Sequence, residues 1–439
     1  MEFNKSDKIR SYHRKNERYR VVILGAGFGG LWAIKTLARY PVDICLIDQN
    51  NYHTFFPLLY QVASAELEPE DIAYPVRSII RKYPNVHFLL GKVNKIDLKA
   101  QIIETDIRVV HYDFLILAIG SVTHFFNIKG ASEYVYPLKT LEQAVDLRNQ
   151  ILTCFERASY EPDEELQKGL LTFVIVGGGS TGVEFAGTLA ELIYGHMRKD
   201  YRNLDFGKVR VIILEAAGKL LPNLPDRLGN YARERLNKVK VEVRFNSKVS
   251  EVRPDEVKLT DGSVIRTYTT VWTAGVRGEP ALNSWGLPVN PNGKVAVLNT
   301  LQIPDHPNVY VAGDLAYLED GGRPLPMVAP VAIQQGTAAG ENIVRQISGR
   351  PTEPFHYNDQ GIMAVIGRRA AVAYLFNRFG FTGFPAWIIW LGIHLLRLIG
   401  FRNRLLVLTN WAWDYIYYER VVRLILPAKP LSEKCQEKS

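Results

Sequence analysis

One pattern occurs twice in this chain and fixes most of what it can become. A short apolar run ends in a glycine-rich turn, a helical stretch follows, and a second apolar run ends in an acid. The first copy runs from Tyr19-Arg20-Val21-Val22-Ile23-Leu24 into Gly25-Ala26-Gly27-Phe28-Gly29-Gly30, then a helical pattern over Leu31–Tyr40 and a strand over Val42–Asp48. The second runs from Thr172-Phe173-Val174-Ile175-Val176 into Gly177-Gly178-Gly179-Ser180-Thr181-Gly182, then a helix and a strand over Val209–Glu215. Runs like these, ending in glycine and alternating with helices, read as buried strands of a parallel sheet. The first glycine (Gly25, Gly177) permits the tight turn, and the second (Gly27, Gly179) lets backbone approach a pyrophosphate. The third (Gly30, Gly182) lets helix and strand pack closely, while the helix start offers free N–H groups to phosphate. One nucleotide-binding unit has been used twice.

Asp48 closes the second strand of the first copy near the offset of a ribose-binding acid. Glu215 does the same in the second copy, delayed by what reads as an insertion over Tyr194–Lys208. An acid there accepts from a ribose 2′-hydroxyl and repels a 2′-phosphate, which favours NADH over NADPH. A solvated strand-end carboxylate is the plain alternative for Glu215. Two dinucleotide sites in one chain imply that one cofactor passes electrons to the other, a nicotinamide to a flavin.

Further apolar runs end in small residues at Gly120, at Gly275 and at Gly313-Asp314. Leu141–Ala158 reads as a helix, and an acidic break follows it at Glu161-Pro162-Asp163-Glu164-Glu165. The 439 residues leave room for two or three domains, and 47% hydrophobic with 22% charged residues excludes disorder. The net charge of +8 suits an acidic partner surface. Nothing beyond that charge points to nucleic acid. Cys45, Cys154 and Cys435 form no CxxC pair, which argues against a disulfide framework, a bound metal or a dithiol centre. The polar start of the chain lacks the apolar core of a signal peptide, and its basic residues from Lys5 to Arg20 read as a solvated tail.

From about Gly380 aromatic and apolar residues dominate, interrupted by arginines. Pro385 is expected to limit a helix to Ala386–Ile399, about 21 Å at ~1.5 Å per residue, too short for a ~30 Å hydrocarbon core. Trp390, His394 and Arg397 make a polar strip on it, with Ile388, Leu391, Leu395 and Leu398 on the apolar remainder. Trp411, Tyr415, Tyr418, Val422 and Ile425 continue at helical spacing, with Arg420 and Arg423 turned away. Such faces suit helices lying in a membrane surface. They also suit helices buried in a core or a dimer interface, so a homodimer stays open. The solitary His394 is read as part of its strip.

Taken in order, these motifs resemble the type II NADH dehydrogenases, the single-subunit NADH:quinone oxidoreductases. The resemblance rests on GAGFGG, on Asn51-Tyr52-His53-Thr54-Phe55-Phe56-Pro57-Leu58-Leu59-Tyr60-Gln61, and on GGGSTGVEFAG. It continues through VWTAGV, NVYVAGDLA, Ala332-Ile333-Gln334-Gln335-Gly336 and Gly400-Phe401-Arg402-Asn403-Arg404. It implies an α/β fold of two Rossmann-like domains, an FAD domain split by an inserted NADH domain, plus a C-terminal amphipathic helical membrane-anchoring module. The implied boundaries are 19–135 and 281–350 for FAD, 136–280 for NADH and 351–439 for the module. It implies FAD on Gly25, Gly27, Phe28, Gly29, Gly30, Asp48, Gly120, Asp314 and Ala332. NADH falls to Gly177, Gly179, Gly182, Glu184, Glu215 and Gly275. Catalytic roles go to Glu184 and Gln334, and a quinone to Gln334 and Gln335.

Read without the resemblance, Glu184 is equally a helix-start acid favoured by the macrodipole, and Asp314 an N-cap. One departure stands out. The family often shows Ala-Gln-x-Ala-x-Gln-Gln where this chain has Ala329-Pro330-Val331-Ala332-Ile333-Gln334-Gln335. Pro330 suits a first helical turn but removes one amide from the quinone signature. The implied protein is a peripheral, monotopic enzyme on the cytoplasmic side of a membrane, passing electrons from NADH through FAD to quinone without pumping protons. A sulfide:quinone oxidoreductase shares the fold but needs cysteines beside the flavin. A redox-sensing flavoprotein would show little turnover.

Overall fold

The computed structural model describes residues 18–417, 420 and 422–426, so the basic start before Arg18, Tyr418 and Cys435 lie outside it. The chain forms two compact units. Among the described residues, one gathers 18–54, 74–122 and 276–359; the other gathers 55–73, 123–275 and those from 360 on. Residues 55–73, expected with the first cofactor domain, and the C-terminal region, expected as a separate module, therefore pack into the second unit.

The first unit is built on a six-stranded sheet in the order Gln302–Ile303, His306–Val311, Phe114–Leu117, Arg20–Leu24, Asp43–Asp48, Val86–Leu90. All neighbours are parallel except the first pair. The chain leaves the central strand Arg20–Leu24 towards one side and returns on the other. Its loop thus opens at the point where strand order reverses, where ligands of such sheets bind. The helix after that loop, Phe28–Leu37, starts three residues before its expected beginning, with Gly27 as its extended N-cap. It lies on Ala329–Ile347 through small residues: a Cβ on Gly336 would sit 2.1 Å from the Gly29 carbonyl oxygen. Pro330 occupies the first turn of that second helix, as its sequence position suggests.

The second unit repeats the plan with five parallel strands, Tyr136–Pro137, Thr269–Trp272, Thr172–Val176, Arg210–Leu214 and Val241–Arg244. Each unit also carries a three-stranded antiparallel meander with a register shift in its first strand, Val93–Asp97 onward and Val249–Val252 onward. Leu141–Ala158 is helical over its expected bounds, opened by a capping box of Thr140 and Gln143. The expected insertion begins as a continuation of the helix Ser180–Glu191, which widens into a π-turn over Leu192–Met197.

The C-terminal region differs most from expectation. A three-stranded antiparallel sheet, Ile362–Val365, Ala371–Leu375 and Phe379–Thr382, leads into the helix Gly383–Arg397. Pro385 sits inside its first turn, where no intrahelical N–H is needed, so the helix starts earlier than expected. The strip of Trp390 and His394 points inward: Trp390 is buried, while Ile388 and Leu396 stand exposed. A second helix spans Phe401–Tyr417 and ends before the expected run does. Arg420 is not turned away from the protein but buried in it, and Val422 is buried beside it in sequence.

Candidate cofactor cradles and a buried carboxylate

In the first cradle Gly25 adopts φ +101°, and a Cβ there would lie 2.3 Å from the Ala118 carbonyl oxygen. A Cβ on Gly30 would lie 1.9 Å from the Gly25 oxygen, whereas Gly27 faces open space. Turn, packing and clearance thus fall to the three glycines as their spacing requires. Asp48 spans the loop: its Oδ2 accepts from the Ala26 N–H at 2.6 Å and its Oδ1 from the Asn50 N–H at 2.7 Å. Burial raises its pKa, and those N–H groups partly offset the effect.

The rim of this cradle comes from distant chain. Gly120 has φ +75° with nothing beside it, and Ser121 Oγ donates to Asp314 Oδ2 at 2.5 Å. Asp314 belongs to a 3-10 turn, Gly313–Leu315, whose N-cap is Ala312, so it caps no helix here. Gln335 is buried, its Oε1 accepting the Gly313 N–H at 2.7 Å, and Ala332 packs beside Gly313. Gln334 exchanges two hydrogen bonds with the Asn358 backbone, both at 2.9 Å. Each glutamine amide is therefore already anchored at its carbonyl end.

His53 went unassigned on sequence, though it lies in the quoted Asn51–Gln61 segment. Its Nδ1 meets the Ala26 carbonyl oxygen at 2.8 Å, so that nitrogen carries the proton. Its ring stands edge-on to Phe28, and its Nε2 is buried with no protein partner among the described residues. Burial pulls its pKa down to about 4. The only sequence signal was a histidine five residues beyond the strand-end acid.

The second cradle repeats these contacts. Gly177 has φ +113°, a Cβ on Gly182 would lie 2.0 Å from the Gly177 oxygen, and Gly179 faces open space. Glu215 accepts from the Gly178 N–H at 2.6 Å and from the Ala217 N–H at 2.7 Å. Gly275, at φ +72°, lies under the Phe126 ring, and its carbonyl accepts the His124 N–H. The Phe126 and His124 rings lie with centroids 4.2 Å apart, tilted by 40°.

Glu184 follows Gly182 on the buried helix Ser180–Glu191 and is 8% exposed. Its Oε1 accepts the Val365 N–H at 3.3 Å, and the Trp390 indole lies near without completing a hydrogen bond. Burial outweighs the Val365 N–H and the nearby indole and pushes its pKa up to about 8. At neutral pH it holds a proton, unlike a solvated helix-start acid. His394 sits nearby, donating Nδ1–H to Trp390 O at 2.8 Å and stacked on the Trp390 ring. The Cys45 thiol is pushed up to about 11 by burial, which leaves it protonated and unreactive. Cys154 is buried on the helix Leu141–Ala158.

Residues 19–336 match the pyridine nucleotide-disulphide oxidoreductase family. A curated relative, the type II NADH:quinone oxidoreductase Ndh of Mycobacterium tuberculosis, is 40% identical over 418 residues, covering 92% of this chain and 89% of that protein. Among solved structures, NDH2 from Plasmodium falciparum in complex with NADH superposes with a TM-score of 0.85 at 19% identity, covering 93% of this chain and 100% of that one. The sulfide:quinone oxidoreductase of Aquifex aeolicus gives 0.69 at 20% identity, covering 95% of each chain. At such identities the two structures speak for the fold alone.

Proposed function

The chain belongs to the type II NADH:quinone oxidoreductase family, and from that premise we propose which of its residues carry the reaction. It is an FAD-dependent oxidoreductase that passes electrons from NADH to a quinone. The observation carrying the residue assignment is the double cradle. Two loops hold their glycines and strand-end acids alike, each leaving clear space at the second glycine where a pyrophosphate needs it.

FAD, when bound, accepts the hydride of NADH and releases its electrons onward. The chain's own part is to bind, orient and supply protons. Gly25, Gly27, Phe28, Gly29 and Gly30 line the pyrophosphate path, and Asp48 keeps lone pairs for ribose hydroxyls beyond its two backbone donors. Gly120, Asp314 and Ala332 form the far rim. Gly177, Gly179, Gly182, Glu215 and Gly275 do the same for NADH, with the Glu215 charge disfavouring a 2′-phosphate. Glu184, protonated near neutral pH, carries a proton for quinone reduction. Gln334 keeps one amide N–H free of Asn358 and Gln335 keeps its amide nitrogen, so both retain donors for a quinone carbonyl. On this reading 19–135 and 281–350 serve FAD, 136–280 serve NADH and 351–439 serve the membrane.

No helix among the described residues is long and apolar enough to cross a membrane. The exposed Phe384, Ile388 and Leu396 of one C-terminal helix, with Phe401, Leu405 and Ile416 of the next, would seat the enzyme on a cytoplasmic membrane surface. Such a peripheral enzyme pumps no protons. A second copy covering the same face, as a homodimer, is the competing occupant. Phe401→Asp with Ile416→Asp is expected to abolish sedimentation with lipid vesicles while the oligomeric state stays constant; a change in oligomeric state instead favours the homodimer.

The test of function is steady-state turnover of purified protein with NADH and NADPH against short-chain quinones. Rapid NADH-driven quinone reduction is expected. Turnover with sulfide but not NADH, or flavin reduction without turnover, would overturn the reading.

A further inference from the structure

Beyond Glu184 the second unit buries a cluster of charges that the cofactor reading does not use. Glu191 lies seven residues along the same helix, on the same face. Its Oε1 accepts the Arg368 N–H, and its Oε2 lies 3.4 Å from Arg420 Nη2. The same Nη2 is 3.7 Å from Glu66 Oε2, and Arg420 Nε is 4.0 Å from Asp414 Oδ1. Asp414 Oδ1 also faces His196 Nε2 at 3.5 Å. Arg420 is fixed by donating Nη1–H to the carbonyls of Ser64 and Thr188. Its side chain is 1% exposed, against 13% for Glu66, 17% for Glu191 and 20% for Asp414.

A cavity of about 40 Å³ runs between these groups, lined by Gln61, Glu66, Glu191, Trp390, Trp411 and Asp414 among others. That is room for one or two waters, and its walls supply the several polar partners that a buried water needs. Glu66 Oε2 and Trp390 Nε1 are buried there without a hydrogen-bond partner. The Tyr60 hydroxyl is fully buried within electrostatic reach of Glu184, Glu66 and Glu191 together. It accepts a hydrogen bond from Gln61 Nε2 at 3.4 Å, and Gln61 is held in turn by Trp411. Its own proton is left to donate to a carboxylate.

Glu66, Glu191 and Asp414 have Arg420 and Arg368 as near counter-charges, with Arg423 and Lys199 beyond them around His196. Burial makes the cluster a proton store: it pushes the pKa of Glu66 up to about 8, so that carboxyl keeps a proton near neutrality. Burial raises both Glu66 and Glu191, and Arg420 offsets only part of it. His196 is held neutral, its pKa lowered to about 3 by burial and the surrounding arginines.

We propose that Tyr60, Glu66 and Glu191 form a proton relay to Glu184, with Asp414 as its solvent end and Arg420 as its fixed counter-charge. The need for one follows from the stoichiometry. Reducing a quinone to its quinol takes two electrons and two protons. NADH supplies both electrons and one proton as hydride, so one further proton per turnover comes from the medium. Tyr60 gives its hydroxyl proton to the Glu184 carboxylate and takes one from Glu66 or Glu191, directly or through water in the cavity. No charge is left on the phenol. The proposal rests on Glu184 being the proton carrier of the preceding section.

The experiment uses the FAD-loaded full chain, with Tyr60→Phe, Glu191→Gln and Glu184→Gln read beside the parent. Turnover with NADH and a short-chain quinone is followed from about pH 6 to about pH 9, in H₂O and D₂O, and single-turnover bleaching of the flavin by NADH is timed separately. The relay predicts that Tyr60→Phe and Glu191→Gln lower kcat about tenfold or more at the alkaline end, raise the solvent isotope effect and leave bleaching at the parent rate. Glu66→Gln, which keeps shape and packing, gives the same readout should Glu191→Gln lose flavin. Parent-like pH profiles and isotope effects in these variants overturn the relay, as does an equal loss in bleaching and turnover, the mark of a merely structural role. A parent-like profile in Glu184→Gln removes the proton-carrier assignment instead, so the two failures are distinguishable.

Discussion

The two glycine cradles hold their loops almost atom for atom alike and differ in what stands around them. In each, the strand-end acid takes one loop N–H at 2.6 Å and a second N–H two residues beyond itself at 2.7 Å, though one acid is aspartate and the other the longer glutamate. In each, the third glycine leaves no room for a methyl group beside the first. The surroundings diverge. The first cradle is fenced by His53, Gln335 and the Ser121–Asp314 contact; the second by the Phe126 ring over Gly275 and by the buried Glu184. The shared part suits what two dinucleotides have in common, a pyrophosphate and a ribose. The divergent part suits a cofactor that stays in one case and a substrate that comes and goes in the other.

The glycines give the hardest test of that division. Gly30→Ala must push a backbone carbonyl aside at a cost of about 3 kcal/mol or more, and the purified protein is expected to be colourless. Gly182→Ala meets the same obstacle at Gly177 and is expected to keep its yellow flavin while losing NADH-dependent bleaching. Two variants that lost the same ligand would end the comparison. Absorbance spectra with and without NADH decide it.

The acids come next. Removing one charge-assisted hydrogen bond is worth about 1.5 kcal/mol or more, roughly tenfold in affinity. Asp48→Asn is expected to weaken FAD retention by that factor on dialysis. Glu215→Gln is expected to narrow the ratio of kcat/KM for NADH over NADPH by the same factor. An unchanged ratio would remove the reason for assigning the ribose to Glu215.

The smallest effect sharpens the contrast. His53 is pulled down to about 4 from an ordinary 6.5. Between those values the unfolded chain binds a proton that the folded one refuses, so stability is present above pH 6.5 and drains as pH falls towards 4. His196 and His394 are lowered in the same direction in the other unit. Only His53→Gln should therefore flatten the acid release of flavin, while leaving acid loss of NADH binding as in the parent. Fluorescence of released flavin on stepwise acidification measures it.

Much of this was legible in the sequence because it is local. Strand, glycine loop, helix and acid lie between Arg20 and Asp48 in one copy and between Thr172 and Glu215 in the other, and short-range chemistry fixes their geometry. The long-range pairings around these loops were not legible. His53 meets Ala26 from 27 residues away, Gln335 meets Gly313 from 22, and Arg420 meets Ser64 from 356. The C-terminal helices depart from expectation for a different reason. Helical spacing groups Trp390 with His394, but periodicity does not say which residues meet the protein. Leu398 is buried as Trp390 is, and Leu391 lines the same cavity as Trp390, while Ile388 stands exposed. Arg420, expected to turn away from the apolar face, is drawn into the protein by carboxylates from two other parts of the chain, Glu66 and Glu191.

That last arrangement bears on how the molecule is made. Asn403 donates to the backbone carbonyls of Glu70, Asp71 and Ala73, and Arg420 neutralises Glu66 and Glu191 from almost the last described residues. The second nucleotide-binding unit is therefore closed by a segment far along the chain from the acids it covers. A chain cut before Asn403 would lose both the cap on the 70–73 carbonyls and the counter-charge of Glu66 and Glu191, so the C-terminal segment acts as a built-in clasp on the second unit.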